Sequence, residues 1–341
     1  MTKEEILLKY GESSNNSLLT QELAGGAARI QLRGIIGSGA SFIAGAAYQY
    51  SNKTHLFILS DKDEAADCAN DLENILGENN VLFIPASYKI PYQHEEIDNS
   101  NILLRAEVLN KINTGNKHVC VVTYPEALTE KVVTKTHLSK NTLQLKQGEK
   151  ISIDFIADVL IEYDFDRVDY AIEPGQFSIR GGIVDIFSFS NNNPYRIEFL
   201  GNEVDSIRSF DAVNQLSIDK LSTCIIIPNV QTKLLNESRQ TFFEFIPNNS
   251  ILWFKQFQFT SDKIEKAFTF AQSEFNRLSS TSPQLAPNEL YIDRDIFSKR
   301  LLQFPVIEFG NTFSFNPAVT ITYHCSPQPN CNKNFQFLLD N

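Results

Sequence analysis

The segment Gly34-Ile35-Ile36-Gly37-Ser38-Gly39-Ala40-Ser41 follows an apolar run and opens a helical pattern, the context that a phosphate-binding loop requires. In a working loop the glycines let backbone N–H groups wrap the phosphates at a helix N-terminus, and a lysine before Ser or Thr reaches the outer phosphates. Here that position is Ala40. An ammonium–phosphate contact is worth roughly 1.5–3 kcal/mol in binding, and more where charge accumulates in a transition state. No neighbour supplies an evident replacement, the nearest candidate being Arg33 before the loop. The segment therefore reads as a structural glycine turn, without ATP hydrolysis.

A nucleotide motor also needs an apolar strand ending in Asp-Glu, to hold magnesium and polarise water. The best candidate strand, Ile251-Leu252-Trp253-Phe254, runs instead into Lys255-Gln256, and an ammonium there repels a metal ion. Two independent losses point to a fold that outlived its motor function. The cysteines offer no other chemistry: Cys68, Cys120, Cys224, Cys325 and Cys331 are odd in number and scattered, the pattern of reduced thiols rather than of a disulfide framework. His324, Cys325 and Cys331 lack the second ligand pair that a zinc site needs, so no metal is expected.

Positioning such a loop takes a sheet, and the chain has the material for one. With 341 residues, two or three domains are expected, and hydrophobic residues at 42%, including 26 Phe, exclude a disordered class. The opening stretch Met1–Gly11 is charged and no run of about 18 apolar residues occurs, so a soluble, cytoplasmic protein without membrane contact is predicted. Thirty basic residues against 41 acidic ones give a net charge of -11, which argues against a strong independent DNA binder.

Residues 1–133 alternate candidate strands (Ile30–Arg33, His55–Leu59, Val81–Ile84, Val119–Thr123) with helices starting near Ser41, Asp61 and Asn101, the pattern of a parallel α/β layer. Asp63 and Glu64 suit a helix N-terminus and Gly77 its stop. Residues 134–212 read as an α+β insert. Ser152 caps a helix whose apolar residues Phe155, Ile156, Val159, Leu160 and Tyr163 recur at helical spacing. The alternating runs Gln176–Arg180 and Tyr195–Phe199, with Ile183–Phe189 between them, then predict an antiparallel sheet. Alternation puts Arg180 on the polar face of one strand, and Arg196 with Glu198 on that of another. Residues 213–325 return to the first style through the apolar runs Cys224–Pro228, Ile251–Phe254 and Ala318–Tyr323. Residues 326–341 read as a linker leading into an apolar pattern without room to finish, as in a piece of a longer chain. The fold class is thus α/β, a degenerate RecA-like domain split by the insert.

Phe165-Asp-Arg-Val-Asp169, Glu173–Phe187 and Pro194–Asp211 together resemble the second domain shared by the UvrB repair helicase and the transcription-repair coupling factors. Phe83-Ile-Pro85, Ile90-Pro-Tyr92 and Arg105 are similar to the first domain of the coupling factors. Ala40 favours the coupling factors over UvrB, which keeps a functional Gly-Lys-Thr. UvrB also grips DNA with a tyrosine-rich hairpin, to which only Tyr88 and Tyr92 correspond here, as packing residues. The resemblance implies a module that recruits UvrA to lesions where RNA polymerase has stalled, with no cofactor of its own. ATP, magnesium, RNA polymerase and double-stranded DNA would belong to the family's translocase and polymerase-binding parts, beyond residue 341. The UvrA-binding residues implied are Arg167, Arg180, Arg196 and Glu198, with Phe187 as an aromatic anchor were it exposed. Ser178 departs from UvrB, which tends to have a second arginine there. An active UvrB-like enzyme and a purely structural or autoinhibitory scaffold are the competing readings.

Overall fold

The structure, a computed structural model, describes residues 2–26, 29–87, 90–92, 99–115, 118–229, 238–278 and 285–325. Strands β1 (Arg29–Arg33), β2 (His55–Ile58), β3 (Val81–Phe83) and β4 (Cys120–Thr123) lie where the apolar runs predict them. The chain then leaves through β5 (Val132–Val133) and β6 (Leu143–Lys146). It next builds β7 (Asp166–Arg167), β8 (Gln176–Arg180), β9 (Ile183–Ile186), β10 (Tyr195–Leu200), β11 (Glu203–Phe210) and β12 (Ser217–Leu221). It returns through β13 (Thr223–Ile226) and β14 (Arg239–Gln240) to β15 (Ile251–Lys255), β16 (Val306–Phe309) and β17 (Val319–Thr322).

Among the described residues, seven strands form one parallel sheet in the order β17-β1-β16-β15-β2-β4-β3. A parallel sheet is normally covered on both faces, which is why its strands are continuously apolar. Ile30, Leu32, Phe57, Trp253 and Ile307 pack on one face, and Leu56, Ile58, Val121, Leu252 and Val306 on the other. The second cluster runs on into the insert through Phe177, Val184, Ile186 and Ile197, so sheet and insert share one core.

Local signals explain the covering helices. Asp61 caps Lys62–Leu76, its carboxylate accepting from the Glu64 N–H at 2.9 Å, and Gly77 at φ 88° ends that helix. Ser152 does the same for Ile153–Glu162, accepting from the Phe155 N–H at 3.2 Å. The helices Lys3–Glu12, Ser14–Ala24, Phe257–Leu278 and Arg294–Leu301 carry no sequence signal noted above.

The insert's sheet has the order β12-β11-β10-β9-β8-β7, antiparallel except for β7 against β8. It extends past the predicted boundary at residue 212. β12 pairs with β11, and the run beginning at Cys224, predicted to start the second half of the main domain, forms β13 against β6. The reason is long-range pairing: Thr223 meets Lys146 and Ile226 meets Leu143, a closure that nothing in either short segment announces. The predicted polar break after residue 133 holds a short helix, Lys135–Lys140, capped by Thr134. The predicted linker, residues 326–341, lies outside the described residues.

Candidate functional site

Two places answer to the predicted chemistry, the glycine turn after β1 and the outer face of the inserted sheet. In the turn, Gly34 (φ 74°) and Gly37 (φ 58°) take left-handed conformations, and the helix Gly39–Ser51 starts directly after it. Gly34 is required for a second reason: a Cβ there would lie 2.1 Å from the Tyr323 carbonyl oxygen on the neighbouring segment.

Several of the N–H groups that would face a phosphate are turned to local use. The Gly39 N–H donates to the Ile36 carbonyl at 3.3 Å, and those of Ser41 and Phe42 donate to the Ser38 carbonyl at 3.0 and 3.3 Å. The Ser41 hydroxyl, the magnesium ligand in a working loop, donates to Asp71 Oδ2 at 3.0 Å. Ala40 packs its methyl against the apolar cluster beneath. Arg33 offers no substitute, because it stacks over Phe313 at 4.9 Å and donates to Gln31 at 3.0 Å, outside the crevice lining.

With β16 between β1 and β15, the turn and the end of β15 flank one crevice at the carboxyl edge of the sheet, where ligands of open α/β sheets bind. Its volume is about 340 Å³, and Ala40, Glu64, Asp67, Asp71, Trp253 and Lys255 are among its walls. Lys255 is paired with Glu64, and burial lowers its pKa from the ordinary lysine value. Gln256 follows at φ 60°. Three carboxylates and one ammonium line it, with no lysine in the turn, so a triphosphate there would meet an excess of negative charge. No three His, Cys, Asp or Glu side chains gather as a metal cluster among the described residues.

The outer face of the inserted sheet is organised around a residue the sequence reading passed over. Asp185 on β9 is fully buried and accepts from Arg180 on β8 and Arg196 on β10. Arg180 Nη2 lies 2.5 Å from Asp185 Oδ2, and Arg196 makes a bidentate contact, Nε to Oδ1 at 2.7 Å and Nη2 to Oδ2 at 2.8 Å. Register explains the meeting: Asp185 stands opposite both Ser178 and Arg196. A lone carboxylate in the apolar run Ile183-Val-Asp-Ile186 was the signal available.

The predicted binding residues divide on inspection. Arg180 keeps 37% of its side chain exposed, anchored by the Asp169 carbonyl at 2.8 Å and stacked on Tyr170 at 5.1 Å. Arg196 is only 14% exposed; besides Asp185 it binds Gln215 at 2.9 Å and lies 4.3 Å over Phe210, so it acts as a brace and presents little contact surface. Glu198 shares that face, accepting from Ser206 Oγ at 2.7 Å and Arg208 Nη2 at 2.6 Å; the two donors hold its pKa below the ordinary value.

Arg167 is exposed, without an ion pair among the described residues, but it stands in register with Phe177, on the side opposite Arg180. Phe187 does not meet the condition set for an aromatic anchor, exposure. It is 6% exposed, because it sits one residue beyond β9 with its backbone bonded to Gly175 and Gln176, which turns the ring into the protein. Exposed apolar side chains lie elsewhere, at Tyr170 and Ile172 before β8 and at Val213, Leu216 and Ile218 around the β11–β12 turn.

In the first domain, the buried Arg105 donates to the Pro85 carbonyl at 2.7 Å and pairs with Glu130 at 3.3 Å, so the motif residues Pro85 and Arg105 hold one another. Tyr92 is also a packing residue, its ring buried and its hydroxyl donating to the Leu285 carbonyl at 3.0 Å. Tyr88 and Cys331 lie outside the described residues.

Comparison with known proteins bears on this second face. The family model of the UvrB interaction domain matches residues 143–231, a range that opens on β6 and closes just after β13. The transcription-repair-coupling factor of Bacillus subtilis is 34% identical over 217 residues, 63% of this chain and 18% of that protein. Those of Rickettsia prowazekii (28% over 191 residues, 56% and 17%) and Escherichia coli K12 (27% over 139 residues, 41% and 12%) also match. The chain is related to the N-terminal region of the transcription-repair coupling factors. It spans less than a fifth of the length of these coupling factors. The kinship with coupling factors, proteins of DNA repair, thus includes the inserted sheet that carries Arg180 and Asp185.

Proposed function

We propose that this chain is a recruitment module of transcription-coupled nucleotide excision repair, which binds UvrA through the outer face of its inserted sheet and hydrolyses no ATP. The observation that carries the reading is Arg180, partly exposed on a sheet matched by the UvrB interaction domain and fixed in place by the buried Asp185. The crevice beside Ala40 supports the second half: the N–H groups of Gly39, Ser41 and Phe42 are bonded locally, and Lys255 stands where an Asp-Glu pair would hold magnesium. The degenerate motor fold then serves as the platform for the insert.

ATP, magnesium, RNA polymerase and duplex DNA fall in this reading to parts of the longer coupling factors outside this chain. A cytoplasmic setting goes with that role, and no described helix is long and apolar enough to cross a membrane.

Titration of UvrA with wild type, Arg180→Ala and Arg167→Ala tests the assignment. Truncating an arginine hot spot weakens binding by about 2 kcal/mol or more, and that loss is expected for Arg180→Ala. Unchanged affinity in both variants would remove these residues from the interface. Tight magnesium-dependent ATP binding by the chain would favour an active UvrB-like enzyme instead.

A further inference from the structure

We propose that Asp185 is the positioning residue that turns the outer face of the inserted sheet into one preorganised docking surface, spanning the loop before β8 and the β11–β12 turn. The inference rests on the UvrA-binding reading above and names how that site is held.

Arg180 and Arg196 both reach Asp185 Oδ2, so their guanidinium groups are drawn together against mutual repulsion by one buried carboxylate. Each arginine then fixes a loop. On the β8 side, Arg180 Nη1 holds the Asp169 carbonyl at 2.8 Å and the guanidinium covers Tyr170, which stays 59% exposed. On the β12 side, Arg196 Nη2 holds Gln215 Oε1 at 2.9 Å. Gln215 takes a left-handed φ of 63°, a conformation that a non-glycine residue keeps only when its surroundings impose it. The same side chain donates to the Ala212 carbonyl at 2.8 Å, while Asp211 Oδ1 accepts from the N–H groups of Val213 and Asn214.

The turn so fixed presents Val213, 94% exposed, and Leu216, 66% exposed. The surface therefore offers a cation at its centre and apolar side chains at both ends. It suits a partner that brings a carboxylate to Arg180 and apolar groups to the flanks, with the ordering of both loops completed before binding.

The experiment titrates UvrA with the wild-type chain, Asp185→Asn, Arg180→Ala and the double variant, and follows amide exchange in the free proteins. Asp185→Asn is expected to weaken binding at least about tenfold, the scale of losing charge-assisted hydrogen bonds. It should also speed exchange at residues 169–170 and 212–216, and add little to the effect of Arg180→Ala, since both act through one unit. Wild-type affinity in Asp185→Asn, or two losses that add in full, would overturn the inference. Should Asp185→Asn not fold, Val213→Ser with Leu216→Ser tests the surface without touching the core, and unchanged affinity there would equally overturn it. Failure of the wild-type chain to bind UvrA would instead remove the functional reading, and this one with it.

Discussion

Lys255, at the carboxyl end of β15, forms an ion pair with Glu64 in the first turn of the Lys62–Leu76 helix, and both side chains line the crevice beside the glycine turn. An ammonium and its counter-charge thus occupy the edge of the sheet where a nucleotide motor would carry its metal.

Ala40→Lys alone is therefore expected to leave ATP turnover at background. It adds a second ammonium to a crevice where Lys255 remains and the N–H groups of Gly39, Ser41 and Phe42 stay engaged with Ile36 and Ser38. Calorimetry and a phosphate-release assay check this. Magnesium-dependent turnover from the single substitution would contradict it.

The two left-handed glycines should differ when replaced. Gly37→Ala meets nothing within 4 Å and is expected to lose only the left-handed penalty, about 1–2 kcal/mol. Gly34→Ala adds a collision with the Tyr323 carbonyl, so a larger loss, at least about 2–3 kcal/mol, is expected in chemical denaturation. Equal losses would mean that β17 yields freely to β1.

His55 makes stability depend on acid. Its ring is fully buried, the Trp253 indole donates to Nδ1 at 3.2 Å, and Ser51 Oγ lies 2.8 Å from Nε2. An indole N–H only donates, so Nδ1 is the acceptor and the ring is neutral with its proton on Nε2. Burial, with His118 and Lys53 adding to it, depresses its pKa from 6.5 to about 3. The unfolded chain therefore binds the extra proton first. The contribution is whole above pH 6.5 and shrinks by up to about 1.4 kcal/mol per pH unit as pH falls toward 3. Unfolding titrations between pH 7 and 4 on wild type and His55→Gln should show a steeper acid decline in the wild type, and parallel curves would refute it.

Asp185 and Glu198 share the outer face of one sheet, yet they should differ in weight. Asp185→Ala leaves two arginines facing each other over a buried position, with an expected loss of at least about 2 kcal/mol. Glu198→Ala removes a pair in which both side chains are about a third exposed, and should change stability by under about 1 kcal/mol. Urea midpoints measured at pH 7 decide between this order and its reverse.

Six of the seven strands of the main sheet were legible because burial on both faces forces continuous apolar runs, and Ile30, Leu56, Val121 and Trp253 lie within theirs; β16, Val306–Phe309, was not, its short run being interrupted by the buried Glu308. Helix starts at Asp61 and Ser152 were legible because capping is a local contact across three residues. The end of the insert was not, since β6 and β13 find each other across some eighty residues of chain. Whether Phe187 is exposed was likewise not legible, and the fold buries it.

What the sequence determined by itself was residue identity at fixed points: Ala40 within a glycine turn, Lys255 at the end of an apolar strand, and an Arg-rich alternating segment. Each is a property of residue identity and short-range spacing. The tertiary structure alone decided that Arg196 braces while Arg180 remains half-exposed, and that Asp185 binds the two together. Those roles depend on which strands become neighbours and in what register, and that is set by burying the common core beneath them, which no local segment encodes.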